Sequence, residues 1–438
     1  MNTIQSGLDA KYPGRLRVSA WLSGELLSLI GDQVYFIALS WTAIRIGGPA
    51  ALGVILMCAA IPRGLLMLYG GALVDLVGAR SVALVSDFLR AAIMAVTALS
   101  GSFHLLELGV VAAMFGAFDA VFYPASGSLP RFIVPSGHLT RVQGLRTLLT
   151  QVALIAGSPV GGIVLVSVGP RFSFAVNAST FVASAGAIAW ACPPLSAPSM
   201  TSKSRKSLLG QAMQGVRIIA AQPRFRILIL TVSIFEFTFN GIANIGFPQL
   251  AVRHHWGVGG FSILVASLGA GAALVAASSA IIPRLARSAW TMRVATAICI
   301  PAAACFALSA SLSICITAAA CIGAAGALMN VHVMPSLQDY GDMSQLGSVM
   351  GLFSLATVGM TPLSQGAAAA AIALAGASAV FGAAGLIAAV LFTWLSVAAT
   401  HRDLCKTPGI ATHPASFRNL KKIGDTPREI TSNGSSAR

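Results

Sequence analysis

Apolar residues run through this chain in long blocks, interrupted at near-regular intervals by short polar or Gly/Pro-rich stretches. The blocks fall at about Leu16–Ile44, Ala50–Leu73, Val82–Leu105, Leu108–Ser128, Val142–Val168, Phe172–Cys192, Ile227–Val252, Phe261–Ile282, Met292–Leu312, Ile314–Met334, Leu346–Ala373 and Ala375–Ala398. Each meets the roughly 20-residue requirement for crossing a hydrocarbon core about 30 Å thick. The pattern therefore predicts an all-α membrane protein of about twelve transmembrane helices. Several blocks are longer than a span needs, which predicts tilt or helix ends beyond the bilayer.

The interruptions divide the chain. Between Pro193 and Arg226 the sequence turns to Pro, Ser, Lys and Arg, including Ser202-Lys203-Ser204-Arg205-Lys206. This predicts a linker over 193–226 between two six-helix bundles, 1–192 and 227–400. Within it Leu208, Leu209, Met213, Val216 and Ile219 recur at near-helical spacing, the pattern of a short amphipathic helix on a membrane surface. The tail 401–438 is polar and reads as disordered. The halves echo one another: Gly144 and Pro159 are separated as Gly347 and Pro362 are, and the same offset carries Asp32 to within one residue of Glu236. Parallel six-span repeats are the arrangement of transporters that rock two bundles about a central site.

Composition agrees with this reading. Of 438 residues, 56% are hydrophobic and only 9% charged, against roughly 25% charged in soluble domains. The net charge of +15 is not spread as a nucleic-acid footprint would be. Lys11, Arg15, Arg17, Arg80, Arg131, Arg141, Lys203, Arg205, Lys206, Arg217, Arg224, Arg226, Arg284, Arg287, Lys421 and Lys422 share one side, and mainly Arg45, Arg171 and Arg253 the other. That asymmetry is the positive-inside bias and predicts that both termini lie in the cytoplasm. The opening residues Met1–Arg15 show no h-region or cleavage site, so no signal peptide is expected. The seven cysteines form no CxxC pair and read as packing residues. No Walker-type loop or metal-ligand cluster is visible, so an enzyme, an ATP-driven pump and a bound metal or cofactor are not expected.

The candidate chemistry lies in charges inside the apolar blocks, where each costs at least about 2.5 kcal/mol and normally faces a protein-lined or watery interior. Glu25 and Asp32 are seven residues apart, on one face of the first helix. Arg63 lies at a depth between them, so pairing with either acid is the expectation. Two readings stay open: a structural ion pair, or a proton-exchanging Asp32 tuned by Arg63. Asp87 and Arg90 are spaced for a local i,i+3 pair. Asp119 lies deep in the fourth span beside Phe118, Phe122 and Tyr123, either as a proton or substrate site or as a structural acid. Glu236, Asn240 and Asn244 form an i,i+4,i+8 polar stripe that is either interhelical glue or the second bundle's share of a cavity. Beside it, Phe235, Phe237 and Phe239 are core or lipid-facing by default, or line an apolar pocket. His332 reads as a satisfied polar contact.

Five motifs connect the chain to a known family. After the second span comes Gly70-Gly71-Ala72-Leu73-Val74-Asp75-Leu76-Val77-Gly78-Ala79-Arg80, which resembles the loop signature of the major facilitator superfamily. Leu29-Ile30-Gly31-Asp32-Gln33, Asp87-Phe88-Leu89-Arg90-Ala91 and Gly116-Ala117-Phe118-Asp119 narrow the likeness to the macrolide-efflux and siderophore-exporter group of drug:proton antiporters. Gly157-Ser158-Pro159-Val160-Gly161-Gly162 is similar to the antiporter signature of the fifth span, with Ser158 where the family usually has glycine. The resemblance implies a conformational gate built on Gly70, Gly71, Asp75, Gly78, Arg80, Asp87 and Arg90. It also implies an inner-membrane, proton-driven exporter of hydrophobic or amphipathic molecules, without a cofactor or nucleic-acid partner and working as a monomer. Export of a siderophore or other self-made product, and a non-transporting sensor or scaffold on the same fold, are the alternatives.

Overall fold

The computed structural model describes residues 15–100, 103–192, 223–281, 290–340, 353 and 357–400. The tail 401–438 and nearly all of the linker, including its predicted amphipathic helix, lie outside these residues, as do Gly347 and the first part of the eleventh span. Among the described residues the chain forms twelve long helices. The first two, α1 (15–47) and α2 (49–77), meet at a break where Gly48 takes φ +68°. There follow α3 (Ala79–Ser100) and α4 (Leu105–Ser128). Next come α5 (139–168) and α6 (170–191), which meet at Gly169 with φ +80°. The second half contains α7 (223–253), α8 (Gly257–Ile281), α9 (Trp290–Leu308), α10 (Leu312–Tyr340), α11 (Met360–Ala375) and α12 (Ala377–Thr400).

Two of these hairpins turn on the same dipeptide, Gly48-Pro49 and Gly169-Pro170. A positive φ is cheap only for glycine, and proline is preorganised for the first turn of the next helix. Proline shapes the helix interiors as well. A π turn over Ala153–Gly157 directly precedes Ser158-Pro159 in α5, and another over Ile242–Gly246 directly precedes Phe247-Pro248 in α7. The wider turn leaves room for a ring that lacks a backbone donor.

Within a bilayer, helix association relies on close packing rather than on the hydrophobic effect, and small residues permit it. Gly116 of α4 lies against the Ala59 backbone of α2, where an added methyl group would collide. The second half repeats the device, Gly271 of α8 lying on Ala320 of α10 and Gly323 of α10 on Leu268 of α8. The halves meet through α2 with α11 and α5 with α8. The contact points are Gly53 with Ala369, Gly366 with Met57, Gly162 with Ser262 and Gly269 with Leu154. Most of these lie toward the end of the bundle at which α2 and α8 begin.

Candidate functional site

A cavity of about 850 Å³ opens between the two halves. Its wall runs from Asp32, Gln33 and Tyr35 of α1 and Gln365 of α11 to Ser126, Gly127 and Gln143, where α4 ends and α5 starts. The cavity thus reaches the end of the bundle at which α1 begins, opposite the glycine contacts that hold the halves together. Phe36, Leu56, Ala59 and Phe115 give it apolar surface, and Tyr35 stacks on Phe115 with ring centroids 4.3 Å apart.

The charges of the first half are arranged around this space. Arg146 of α5 grips Glu25 of α1, with Nη2 2.6 Å from Oε1 and Nε donating to Oε1 at 2.7 Å and Oε2 at 3.0 Å. Arg146 also donates to the Ser126 hydroxyl at 2.8 Å and lies 5.6 Å from the Trp21 ring centroid. Arg63 of α2 pairs with Asp119 of α4, its Nε 3.1 Å from Oδ2. The expected pairing of Arg63 with Glu25 or Asp32 is therefore wrong. Proximity in depth does not fix the direction of a side chain, and α2 packs its Arg63 face toward α4, while Glu25 finds a closer cation on α5.

Asp87 and Arg90 of α3 pair locally, as their spacing implies, and both are fully buried. Arg90 extends further, to 3.5 Å from Asp119 Oδ1, and lies between the rings of Phe122 and Phe181 at 4.0 and 4.3 Å. Asp119 thus joins a buried arginine behind it to a cavity-facing arginine in front. Asp32 stands apart. Among the described residues it makes no hydrogen bond or ion pair, and its Oδ1 is buried without a partner. It lies within electrostatic reach of Arg90, Asp119, Asp87 and Arg63.

The second half brings no charge to the cavity among the described residues. It contributes Asn240 and Asn244, joined by a 2.9 Å amide hydrogen bond, together with Thr361 and Gln365. Glu236 sits one turn from Asn240 on the same helix and does not line the cavity. The polar stripe therefore divides, two amides facing the cavity and the acid standing back. Phe235 and Phe239 are buried against each other and Phe237 is exposed, so none of the three lines the cavity. His332 is buried and has a partner.

The remaining motifs serve helix contacts. Gly157 and Gly161 press α5 onto α1 at Ile30, Gln33 and Val34, and Gly162 faces Ser262 of the other half. Pro159 follows the π turn. Ser158 lies 3.1 Å from Gln33 Oε1, which connects this motif to the residue beside Asp32. Gly70 fits against Ala120 and Pro124 of α4, while Gly71 has open space around it. Gly78 takes φ +91° between α2 and α3, and Asp75 is exposed. Arg80 donates to the Cys192 and Ala189 carbonyls at 2.8 and 3.1 Å, capping α6 of its own half. Sequence reading missed Arg146, Gln143, Thr147, Thr150 and Gln151, a polar face along α5 that lines the cavity. Its helical spacing was the available signal.

Comparison with known proteins agrees with this architecture. The family model described as Major Facilitator Superfamily matches residues 21–364. The multidrug efflux pump Tap of Mycobacterium tuberculosis is 30% identical over 177 residues, 38% of this chain and 42% of that protein. Tap of Mycolicibacterium fortuitum is 23% identical over 228 residues, 50% of this chain and 56% of that one. The chain thus spans about half the length of the curated relatives it matches. Among solved structures, the nucleoside transporter NupG superposes with a TM-score of 0.71 at 12% identity, covering 87% of this chain and 98% of that one. The human organic anion transporter MFSD10 gives 0.60 at 18% identity, covering 88% and 100%. With twelve long helices among the described residues, a cavity between the two halves and a family match over most of its length, this chain belongs to the major facilitator superfamily of membrane transporters.

Proposed function

We propose that the protein exports hydrophobic or amphipathic small molecules in exchange for protons, and that Asp32 carries the proton. The observation that carries this reading is the isolation of Asp32 in a cavity where the other acids are engaged. Protonating Glu25, Asp87 or Asp119 breaks an ion pair, whereas protonating Asp32 breaks none among the described residues. A carboxyl near the midplane that can change charge state without dismantling the bundle suits proton coupling. A cavity of this volume with an aromatic and aliphatic wall suits a drug-sized ligand, and the names of the Tap relatives point the same way. The clustering of basic residues supports a cytoplasmic placement for the end at which α1 begins and hence for both termini. On that placement the described state is open inward, and the glycine contacts between α2 and α11 and between α5 and α8 close the outer side. Substrate would enter from the cytoplasm, displace the proton from Asp32 and leave after the halves rock.

The test is flux in proteoliposomes. The native protein should move a hydrophobic fluorescent dye uphill only under a proton gradient. Asp32→Asn keeps size and hydrogen-bonding capacity but cannot release a proton, so dye should still bind while uphill movement stops. Gradient-driven export that persists unchanged in Asp32→Asn would remove Asp32 from the mechanism.

A further inference from the structure

We propose that the cavity selects amphipathic molecules bearing both an amine and an acidic group, the ammonium facing Asp32 and the acid facing the guanidinium of Arg63. This rests on the exporter reading of the same cavity and names its substrate class. The argument starts from valence. The ion pair of Arg63 with Asp119 is closest at Nε, 3.1 Å from Oδ2, and neither terminal amino group of its fork makes a hydrogen bond among the described residues. Its side chain is 47% exposed on the cavity wall, an unusual position for a guanidinium at membrane depth. The terminal pair of an arginine fork matches a carboxylate or phosphate in two parallel hydrogen bonds. On the α1 wall of the same cavity, Asp32 likewise has no hydrogen bond or ion pair.

The other charges are already engaged. Glu25 and Arg146 share three close contacts, and Asp119 is divided between two arginines. Among the described residues, Asp32 and Arg63 are thus the two cavity-wall charges with capacity left for a ligand. A purely cationic amphiphile would satisfy Asp32 but bring a second positive charge toward Arg63. A purely acidic one would satisfy Arg63 but place an anion near Asp32. A molecule carrying both groups satisfies both, while Phe36, Phe115 and Leu56 receive its apolar body.

The experiment measures binding to the purified protein in nanodiscs, without a gradient, using three probes on one apolar body: naphthylalanine, naphthylethylamine and naphthylpropionate. The native protein should bind naphthylalanine most tightly. Arg63→Gln should weaken naphthylalanine by about tenfold or more, the scale of a lost charge-assisted pair, and leave naphthylethylamine unchanged or tighter. Asp32→Asn should weaken both amines and spare naphthylpropionate. Asp119 retains Arg90 in Arg63→Gln, so the variant keeps a partner for its buried acid; if it nevertheless fails to fold, Arg63→Lys, which keeps the charge and loses the fork, should show a smaller loss of naphthylalanine with the same ranking of probes. The proposal is overturned if naphthylethylamine binds the native protein as tightly as naphthylalanine, if Arg63→Gln weakens all three alike or none, or if no probe binds. A protein that shows the ranking yet exchanges nothing for protons overturns the exporter reading and leaves the recognition intact.

Discussion

Arg90 and Arg63 both reach Asp119, yet their surroundings differ enough to separate their roles. Arg90 is 1% exposed, packed between two aromatic rings and paired with a fully buried acid, so its removal orphans Asp87. Arg90→Ala should therefore abolish folding or cost several kcal/mol, about 3–5 for a broken buried pair, whereas Arg63→Ala should express and melt close to the native protein. Comparing the two by expression and thermal unfolding in detergent checks this; equal losses would count against it. Glu25 and Arg146 offer a cleaner measurement, because both are replaceable without exposing a second acid. The single alanine variants should each lower the melting temperature, and the double variant should lose less than their sum, with a coupling of about 0.5–3 kcal/mol. Additive losses would show that the contact contributes nothing. Sequence alone singled out the acids at Glu25, Asp32 and Asp119 because charge inside an apolar block stands out. It did not reveal their partners: Arg146 lies inside the block Val142–Val168 but escapes the sequence reading, although α5 begins at Leu139 and carries it inward.

At the level of helices, breaks and lengths were the most legible features. Gly48-Pro49 and Gly169-Pro170 both interrupt the apolar pattern and end helices for local backbone reasons, which need no knowledge of the tertiary fold. The ninth block runs to Leu312 in the sequence pattern, but α9 stops at Leu308 and Leu312 already opens α10, because the three small residues between them, Ser309, Ala310 and Ser311, do not mark a turn. The π turns before Pro159 and Pro248 were not visible either, since an added residue per turn leaves no mark on composition. Helix crossings give the sharpest prediction here. Gly116→Val should destabilise by roughly 1–3 kcal/mol, the usual range for overpacking, because its side chain would meet the Ala59 backbone, which cannot rotate away. Gly186→Ala on α6, with open space around it, should be neutral or stabilising by up to about 1 kcal/mol. Thermal unfolding of the two variants side by side checks this, and similar behaviour would mean that the α2–α4 crossing is looser than it looks.

For the molecule as a whole, the repeat visible in Asp32 and Glu236 foretold two bundles but not their division of labour. Among the described residues the cavity charges all come from the first half, and Glu236 does not line the cavity. A single sequence lists both acids with equal weight; only packing decides which one faces the space between the halves. The open end is testable by labelling. In the proposed orientation, a cysteine at Thr147 should react with an impermeant maleimide in inside-out vesicles and not in intact cells, and prior addition of a bound substrate should slow the reaction. The reverse pattern would invert the assigned topology. The one-sided distribution of charge also bears on bioenergetics. Glu25 is balanced by Arg146, Asp119 by Arg63 and Asp87 by Arg90, so on the proposed mechanism the net charge that changes between loaded and unloaded protein resides at Asp32. Exchanging one proton for one zwitterion then moves one elementary charge across the membrane per turnover, worth about 2.3 kcal/mol per 100 mV, while exchanging it for a monovalent amine moves none. A potassium diffusion potential imposed at equal pH, negative on the side that receives the proton, should accordingly drive naphthylalanine export and leave naphthylethylamine at equilibrium, which would make voltage a second and substrate-selective source of power for the same carrier.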